Sequence, residues 1–442
     1  MPTKTPPDIG TITRRRFLMA TAGLAASGAL SPVLASGETI KLGILHSLSG
    51  TMAISEEPLK DVMLMLIAQQ NRKGGVLGKK IEPVVVDPAS NWPLFAEKAR
   101  ELISKDKVSA VFGCWTSVSR KSVLPVFKEL DNILFYPVQY EGEECERNVF
   151  YTGAAPNQQA IPAVDYLMKE EKVKRWVLEG TDYVYPRTTN KILEAYLKLK
   201  GVKPEDILIN YTPFGFSDWQ TEVSRIKSFG SAGKKTAVVS TINGDANVPF
   251  YKELGNQGIK ATDIPVMAFS VGEQELAGLD TKPLVGHLAA WNYFESVRTP
   301  ANEKFIKQWH AFTRNQKRPT NDPMEAHYIG FHAWVKAVEK VKSTDPDKVI
   351  DALPGIEVPN LTYGVAKVLP NHHITKPVYI GEIRADGQFD VVFPDNPKKA
   401  TLVPGEPWSP YLPGSKDLVG DWVTLKCGNY DKVTKKCLGT VG

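Results

Sequence analysis

The stretch Thr39-Ile40-Lys41-Leu42-Gly43-Ile44-Leu45-His46-Ser47-Leu48-Ser49-Gly50-Thr51 decides the architecture. Its first seven residues are a short apolar run that reads as a buried strand, and the run rises into a Ser/Gly loop. Leu59 to Asn71 follows as a mostly apolar helix stopped by Gly74-Gly75. Ile81 to Asp87 is a valine-rich strand. Asn91 to Ser104 is a helix, with Ser90 or Asn91 as N-cap and Pro93 in its first turn. Val108 to Gly113 is a strand, Val118 to Leu130 a helix and Ile133 to Tyr136 a strand. Buried β-runs alternating with amphipathic helices predict a parallel, doubly wound sheet.

The pattern then restarts. Strands are expected at Trp176–Leu178, Ile207–Tyr211, Ala237–Thr241 and Pro265–Phe269, with helices between them. Helices near Pro300–Arg314 and Pro323–Val341 precede a β-rich stretch at Gly364–Val368, Val378–Arg384 and Phe389–Phe393. Two α/β units suit a chain of 442 residues, since a single core stops growing beyond roughly 250–300 residues. With 42% hydrophobic and 23% charged residues, the composition excludes a collagen, a disordered chain and a multi-span membrane protein. No basic, aromatic-interleaved stripe suggests nucleic acid.

The one dense basic run is Arg14-Arg15-Arg16. An uncharged stretch, Phe17 to Leu34, and the small-residue ending Val33-Leu34-Ala35 follow it, so residues 1–35 read as an export signal peptide. Thr13-Arg14-Arg15-Arg16-Phe17-Leu18 resembles the twin-arginine type. Residues 1–35 carry Lys4 and three arginines against Asp8, so without them the net charge falls from +5 to +2. The expected location is the periplasm or another extracytoplasmic space. The cysteines Cys114, Cys145, Cys427 and Cys437 allow three pairings in such an oxidising compartment. Cys427 and Cys437 flank a short polar loop and are expected to pair, leaving Cys114 with Cys145.

In open α/β sheets, ligands bind beyond the carboxyl ends of the strands. In the first unit those ends carry His46-Ser47, Asp87, Cys114-Trp115-Thr116-Ser117 and Tyr136-Pro137-Val138-Gln139-Tyr140. In the second they carry Gly180-Thr181-Asp182-Tyr183-Val184-Tyr185, Thr241-Ile242-Asn243-Gly244-Asp245 and Ser270-Val271-Gly272-Glu273. Two such edges facing each other make an aromatic, hydroxyl-rich, mostly neutral cleft, suited to a flat small molecule. No catalytic motif is present: there is no G-x-S-x-G, no H-E-x-x-H and no phosphate loop. The seven histidines are dispersed, and no metal or cofactor is expected.

The strand-end segments, taken together and in order, carry a resemblance. The specific ones are Gly43 to Ala53, Gly113-Cys114-Trp115-Thr116-Ser117, Tyr136 to Gly142, Tyr151 to Gln159, Asp182 to Arg187, Asn243-Gly244-Asp245, Asn321 to Ala326 and Pro370 to His373. The chain resembles the type I periplasmic solute-binding proteins of the branched-chain amino acid/amide class, and is most similar to the urea-binding subunit of urea ABC transporters. The resemblance implies two doubly wound α/β lobes joined by a three-strand hinge, with crossovers near Asn157, Ser296 and Tyr363. Lobe 1 is then residues 38–156 plus 297–362, lobe 2 residues 157–296 plus 363–395, and residues 396–442 are a C-terminal extension.

The same class includes an amide sensor whose ligand contacts match Trp115, Ser117, Tyr136 and Tyr183 here. This sequence departs from it in Trp115 and in Val138-Gln139; the urea-transporter proteins share Trp115 and Gln139. The resemblance thus implies a non-enzymatic importer subunit that binds urea and delivers it to membrane permease subunits. Trp115 and Tyr136 are expected to sandwich the ligand plane. Ser117, Gln139, Tyr183 and Tyr185 supply hydroxyl and amide contacts, and Asn243, Asp245 and Glu273 accept N–H. Short-chain amides, branched-chain amino acids, or a sensor role toward a partner receptor are the alternatives.

Overall fold

The computed structural model describes residues 38–411, with the short pieces 429–431 and 436–438. The leader reading of residues 1–35 and the Cys427–Cys437 pairing lie outside the described residues.

The first sheet contains β1 (Ile40–Leu45), β2 (Ile81–Val86), β3 (Val111–Gly113), β4 (Leu134–Tyr136) and β5 (Val149–Tyr151), in the order β2-β1-β3-β4-β5 and parallel throughout. Helices α1 (Ala53–Arg72), α2 (Trp92–Arg100) and α3 (Ser117–Leu130) connect these strands. Asn91 caps α2 by accepting from Leu94 N, with Pro93 in its first turn. Helix α1 begins at Ala53, earlier than expected, because Pro58 is accommodated inside it.

The second sheet contains β6 (Arg175–Thr181), β7 (Ile207–Thr212), β8 (Thr236–Thr241), β9 (Val266–Ala268) and β10 (Leu288–Trp291). Its connecting helices are α4 (Ala160–Lys169), α5 (Val184–Leu199), α6 (Gln220–Gly230), α7 (Asn247–Asn256) and the single turn α8 (Glu273–Leu276). The chain then returns to the first lobe, where α9 (Pro300–Thr313), α10 (Asp322–Val341) and α11 (Pro346–Ala352) supply Phe305, Trp309, Trp334 and Val349 to the same core as β1 and β3. A hairpin of β11 (Glu357–Pro359) and β12 (Val365–Lys367) also feeds that core through Val358 and Ala366.

After β13 (Thr375–Pro377), strands β14 (Tyr379–Ile383) and β15 (Phe389–Phe393) close the second sheet in antiparallel fashion, giving β15-β14-β10-β9-β8-β6-β7. Two apolar layers sandwich this sheet, one around Trp219, Phe250 and Phe294 and the other around Trp176, Leu193 and Met267. The architecture is therefore two doubly wound α/β lobes joined by connecting strands, as the alternation in the sequence predicts.

The chain passes between lobes after β5, after β10 and between β12 and β14. One side chain ties the three passages together: Asn292 Nδ2 donates to Gln158 O at 3.0 Å and to Pro377 O at 2.6 Å. Strand β16 (Leu402–Pro404) pairs with β13 beside this junction. No helix among the described residues is long and apolar enough to cross a membrane.

Candidate functional site

Strand order fixes where each lobe opens. In the first sheet β1 lies between β2 and β3, and in the second β6 lies between β7 and β8. Chain direction reverses its progress across the sheet at those points, so the loops leaving the two neighbouring strands splay apart and leave a crevice. Gly113-Cys114-Trp115-Thr116-Ser117 leaves β3, and Ile242-Asn243-Gly244-Asp245 leaves β8. The two crevices meet: Trp115 Nε1 donates to Asn243 Oδ1 at 3.1 Å, with both side chains buried.

Other bonds close the lobes on each other. Gln139 Nε2 donates to Phe269 O at 2.7 Å and Ser270 Oγ at 2.8 Å. Ser55 Oγ donates to Glu275 Oε1 at 2.7 Å, and Asp245 N to Thr51 O at 3.0 Å.

Ser117 opens α3, but the capping falls to its neighbour: the Thr116 hydroxyl accepts from Ser119 N. The Ser117 hydroxyl is left to donate to Glu141 Oε2. Tyr136 donates its hydroxyl to Trp115 O, which fixes the Trp115 turn over the end of β4. Tyr183 is the extended residue before α5, and Tyr185 lies in that helix's first turn. The Tyr185 hydroxyl sits beside Ser270 and Gln139. Both it and Gln139 Oε1 are buried, and neither makes a hydrogen bond of full geometry. Burial raises the Tyr136, Tyr183 and Tyr185 phenols well above their ordinary pKa, so all three are neutral hydroxyls.

Behind this edge lies a buried charge cluster. Arg120, one turn along α3 from Ser117, donates from Nη2 to Glu141 Oε1 at 3.2 Å and from Nε to Glu144 Oε1 at 2.6 Å. Its guanidinium lies 4.6 Å from the ring centroids of both Tyr136 and Tyr140. Lys121 Nζ reaches Glu144 Oε2 at 2.8 Å. Burial opposes ionisation of Glu144, but Arg120 and Lys121 outweigh it and hold its pKa down to about 2. For Arg120 burial is likewise outweighed, by Glu144 and Glu141, and the guanidinium stays charged.

The structure thus brings Trp115, Ser117, Tyr136, Gln139, Tyr183, Tyr185 and Asn243 to one inter-lobe region. Two residues that the sequence suggests stand apart in their side-chain surroundings. Asp245 is exposed and meets Thr51 through its backbone N–H. Glu273 is buried, accepts from Glu295 N at 2.7 Å, and lines a separate cavity of about 470 Å³ with Leu276, Arg318 and Gln388. Conversely, Glu141, Arg120 and Ser270 belong to the site although the sequence does not single them out. Glu141 and Ser270 stand within the strand-end segments, but nothing in their spacing sets them apart from their neighbours.

The expected Cys114–Cys145 disulfide is not formed; both side chains are buried thiols. Cys145 Sγ donates to Asn371 O at 3.1 Å, whereas Cys114 lies by Glu56 and Ser119, so the two thiols face different parts of the lobe. Among the described residues no group of three or more His, Cys, Asp or Glu could hold a metal ion. His46 and His327 meet through their Nε2 atoms at 2.8 Å, in the first lobe's interior.

Known proteins share this architecture. A solute-binding protein of an ABC transporter from R. palustris, solved with 4-hydroxybenzoate, superposes with a TM-score of 0.71 at 22% identity, covering 80% of this chain and 95% of that one. The branched-chain amino acid transporter substrate-binding protein of Streptococcus pneumoniae, solved with isoleucine, gives 0.67 at 18% identity, covering 83% and 100%. Among curated sequences, the Leu/Ile/Val-binding protein homolog 7 of Brucella suis is 24% identical over 401 residues, covering 84% of this chain and 96% of that protein. The two-lobed arrangement is the type I periplasmic binding protein fold. The profile of the periplasmic binding protein domain matches residues 40–414, and the chain belongs to that family.

Proposed function

We propose that this protein is the extracytoplasmic solute-binding component of an ABC importer, and that its solute is a small uncharged amide, the class that includes urea and short-chain amides. The family is a non-catalytic binding class, and solved relatives are named as transporter binding proteins. The observation that carries the ligand class is the pair of unpartnered groups at the lobe junction, Gln139 Oε1 and the Tyr185 hydroxyl. Each such group costs about 1–3 kcal/mol when left unpaired in a buried site, so a ligand that pairs with them gains that much. An amide supplies both needs, an N–H donor for Gln139 and a carbonyl acceptor for Tyr185. Charge points the same way. Among the described residues the buried cations are Arg120 and Lys376. Arg120 is already bonded to two carboxylates, and Lys376 donates to Thr152 O.

The second reading is a branched-chain amino acid. The names of the Brucella and Streptococcus relatives favour it, and Glu141 suits an α-ammonium. It requires donors for an α-carboxylate, which Arg120, bonded to Glu141 and Glu144, does not provide.

Thermal shift with urea, formamide, acetamide and leucine separates the two. At a ligand concentration of about 100 Kd, stabilisation is about 2.7 kcal/mol. A response to the amides and not to leucine is expected; the reverse pattern replaces the first reading with the second.

A further inference from the structure

We infer that Phe214 is the latch of the inter-lobe cleft: it bridges the lobes at the edge farthest from their linkers and keeps a bound solute from leaving. The inference rests on the reading of this protein as a solute-binding component, and goes further by assigning the residue that sets how long a solute stays. It does not depend on which solute that is.

Sheet topology locates the mouth of the cleft. The first sheet runs β2-β1-β3-β4-β5, and the chain leaves for the second lobe after β5, so β2 is the edge most distant from that passage. The second sheet runs β15-β14-β10-β9-β8-β6-β7, and the other two passages run at β10 and β14, so β7 is the matching distant edge. Rotation about the linkers separates these two edges most. Trp92 opens α2, the helix after β2, and Phe214 lies in the turn after β7. Their ring centroids are 5.1 Å apart.

The turn holds Phe214 out from its own lobe. Phe216 N donates to Pro213 O at 3.3 Å, and Gly215, with φ of +71°, supplies the left-handed step that such a turn needs. Phe216 anchors the turn: its ring lies edge-on to buried Trp219 at 4.9 Å, and its carbonyl accepts from Trp219 Nε1 at 3.1 Å. Pro213 and Gly215 are exposed, whereas Phe214 between them is partly buried and packs against the core of the first lobe. A Cβ added at Gly215 would lie 3.2 Å from Thr51 Cγ2, so the turn leans over the loop after β1.

Phe214 also reaches the candidate site. Its ring centroid is 4.8 Å from that of Tyr183, which in turn is 6.1 Å from Tyr185. Trp92, Phe214, Tyr183 and Tyr185 thus form one aromatic series, from the rim of the first lobe to the hydroxyl beside Gln139. Within it only the Trp92–Phe214 contact crosses between lobes, so opening breaks that contact and leaves the others intact. A contact made only in the closed form slows dissociation, and leaves association, which starts from the open form, unchanged. One aromatic pair is worth about a two- to tenfold factor.

The test is stopped-flow tryptophan fluorescence on the full chain, with urea, acetamide and leucine as probes; any of the three that binds gives both rates. Phe214→Ala is expected to raise the dissociation rate about three- to tenfold, with association and the melting temperature of the solute-free protein unchanged. Phe214→Tyr, which keeps the ring, should keep the wild-type rate. Trp92→Ala should match Phe214→Ala, and the double variant should release solute no faster than either single one, because both remove the same contact. An unchanged dissociation rate in Phe214→Ala, or additive effects of the two substitutions, overturns the latch and leaves solute binding standing. Failure of the wild type to bind any of the three probes overturns the proposed function and the latch with it.

Discussion

Ser55 Oγ on the first lobe donates to Glu275 Oε1 on the second at 2.7 Å. The other Glu275 oxygen accepts from Gly272 N at 2.9 Å within its own lobe. Burial raises the Glu275 pKa above 4.5, the ordinary carboxyl value. Opening the lobes removes Ser55 and returns Glu275 to water, so closure takes up a proton. The closed form is favoured fully below about 4.5 and loses that advantage as pH rises through the raised value. Glu273, buried beside Glu295 and Glu275, shifts in the same direction. Ligand affinity is therefore expected to weaken as pH rises above the ordinary carboxyl value of 4.5, and Glu275→Gln to flatten the profile. Calorimetry across that range checks it, and a flat wild-type profile rejects the coupling.

Trp115→Phe keeps an aromatic face but removes the N–H that reaches Asn243 Oδ1. One hydrogen bond is worth about 0.5–1.5 kcal/mol, so ligand affinity should fall about three- to tenfold. The melting temperature without ligand should barely move. A drop in that temperature as large as the affinity loss would assign the indole N–H to folding rather than to closure.

Gly244 has φ of +70°, and a Cβ added there would lie 2.5 Å from Thr51 O of the opposite lobe. Gly244→Ala should hold the lobes apart. Small-angle scattering should then show no ligand-induced compaction, while the wild type contracts. The left-handed backbone costs alanine roughly 1–2 kcal/mol as well, so the variant should also melt slightly earlier.

Glu325, at the start of α10, accepts from Leu361 N at 2.7 Å and Thr362 N at 3.3 Å, which anchors the third passage between lobes. Burial raises its pKa to about 7, against the pull of Lys376. A carboxyl raised on folding contributes stability below its unfolded value, and loses it as pH rises through the folded one. The melting temperature is therefore expected to fall as pH rises from about 4.5 to about 7, less so in Glu325→Gln. Parallel thermal scans of both proteins measure the difference.

Much of this is legible in the chain. Runs such as Ile40–Leu45 and Ile81–Val86 are long enough to announce buried strands, and Asn91 with Pro93 announces a helix start. Strands β5 and β10 escape such a reading: three and four residues give no periodicity to follow. Trp115, Ser117, Tyr136 and Tyr183 stand at or just past strand ends, where a local rule looks. Glu273 obeys the same rule, yet the single turn of α8 points it at Glu295. Glu141 reaches the site because the segment after β4 folds back on α3, setting it against Arg120, 21 residues away. No local period encodes a contact of that separation.

The Asn292 amide, bonded to Gln158 O and Pro377 O, makes three linkers behave as one bearing. With the strands cross-tied, sliding one past another breaks a buried hydrogen bond, whereas bending all three together breaks none. Bending about this junction is thereby favoured over sliding. Solute binding energy then goes into rotation about that axis rather than into shear.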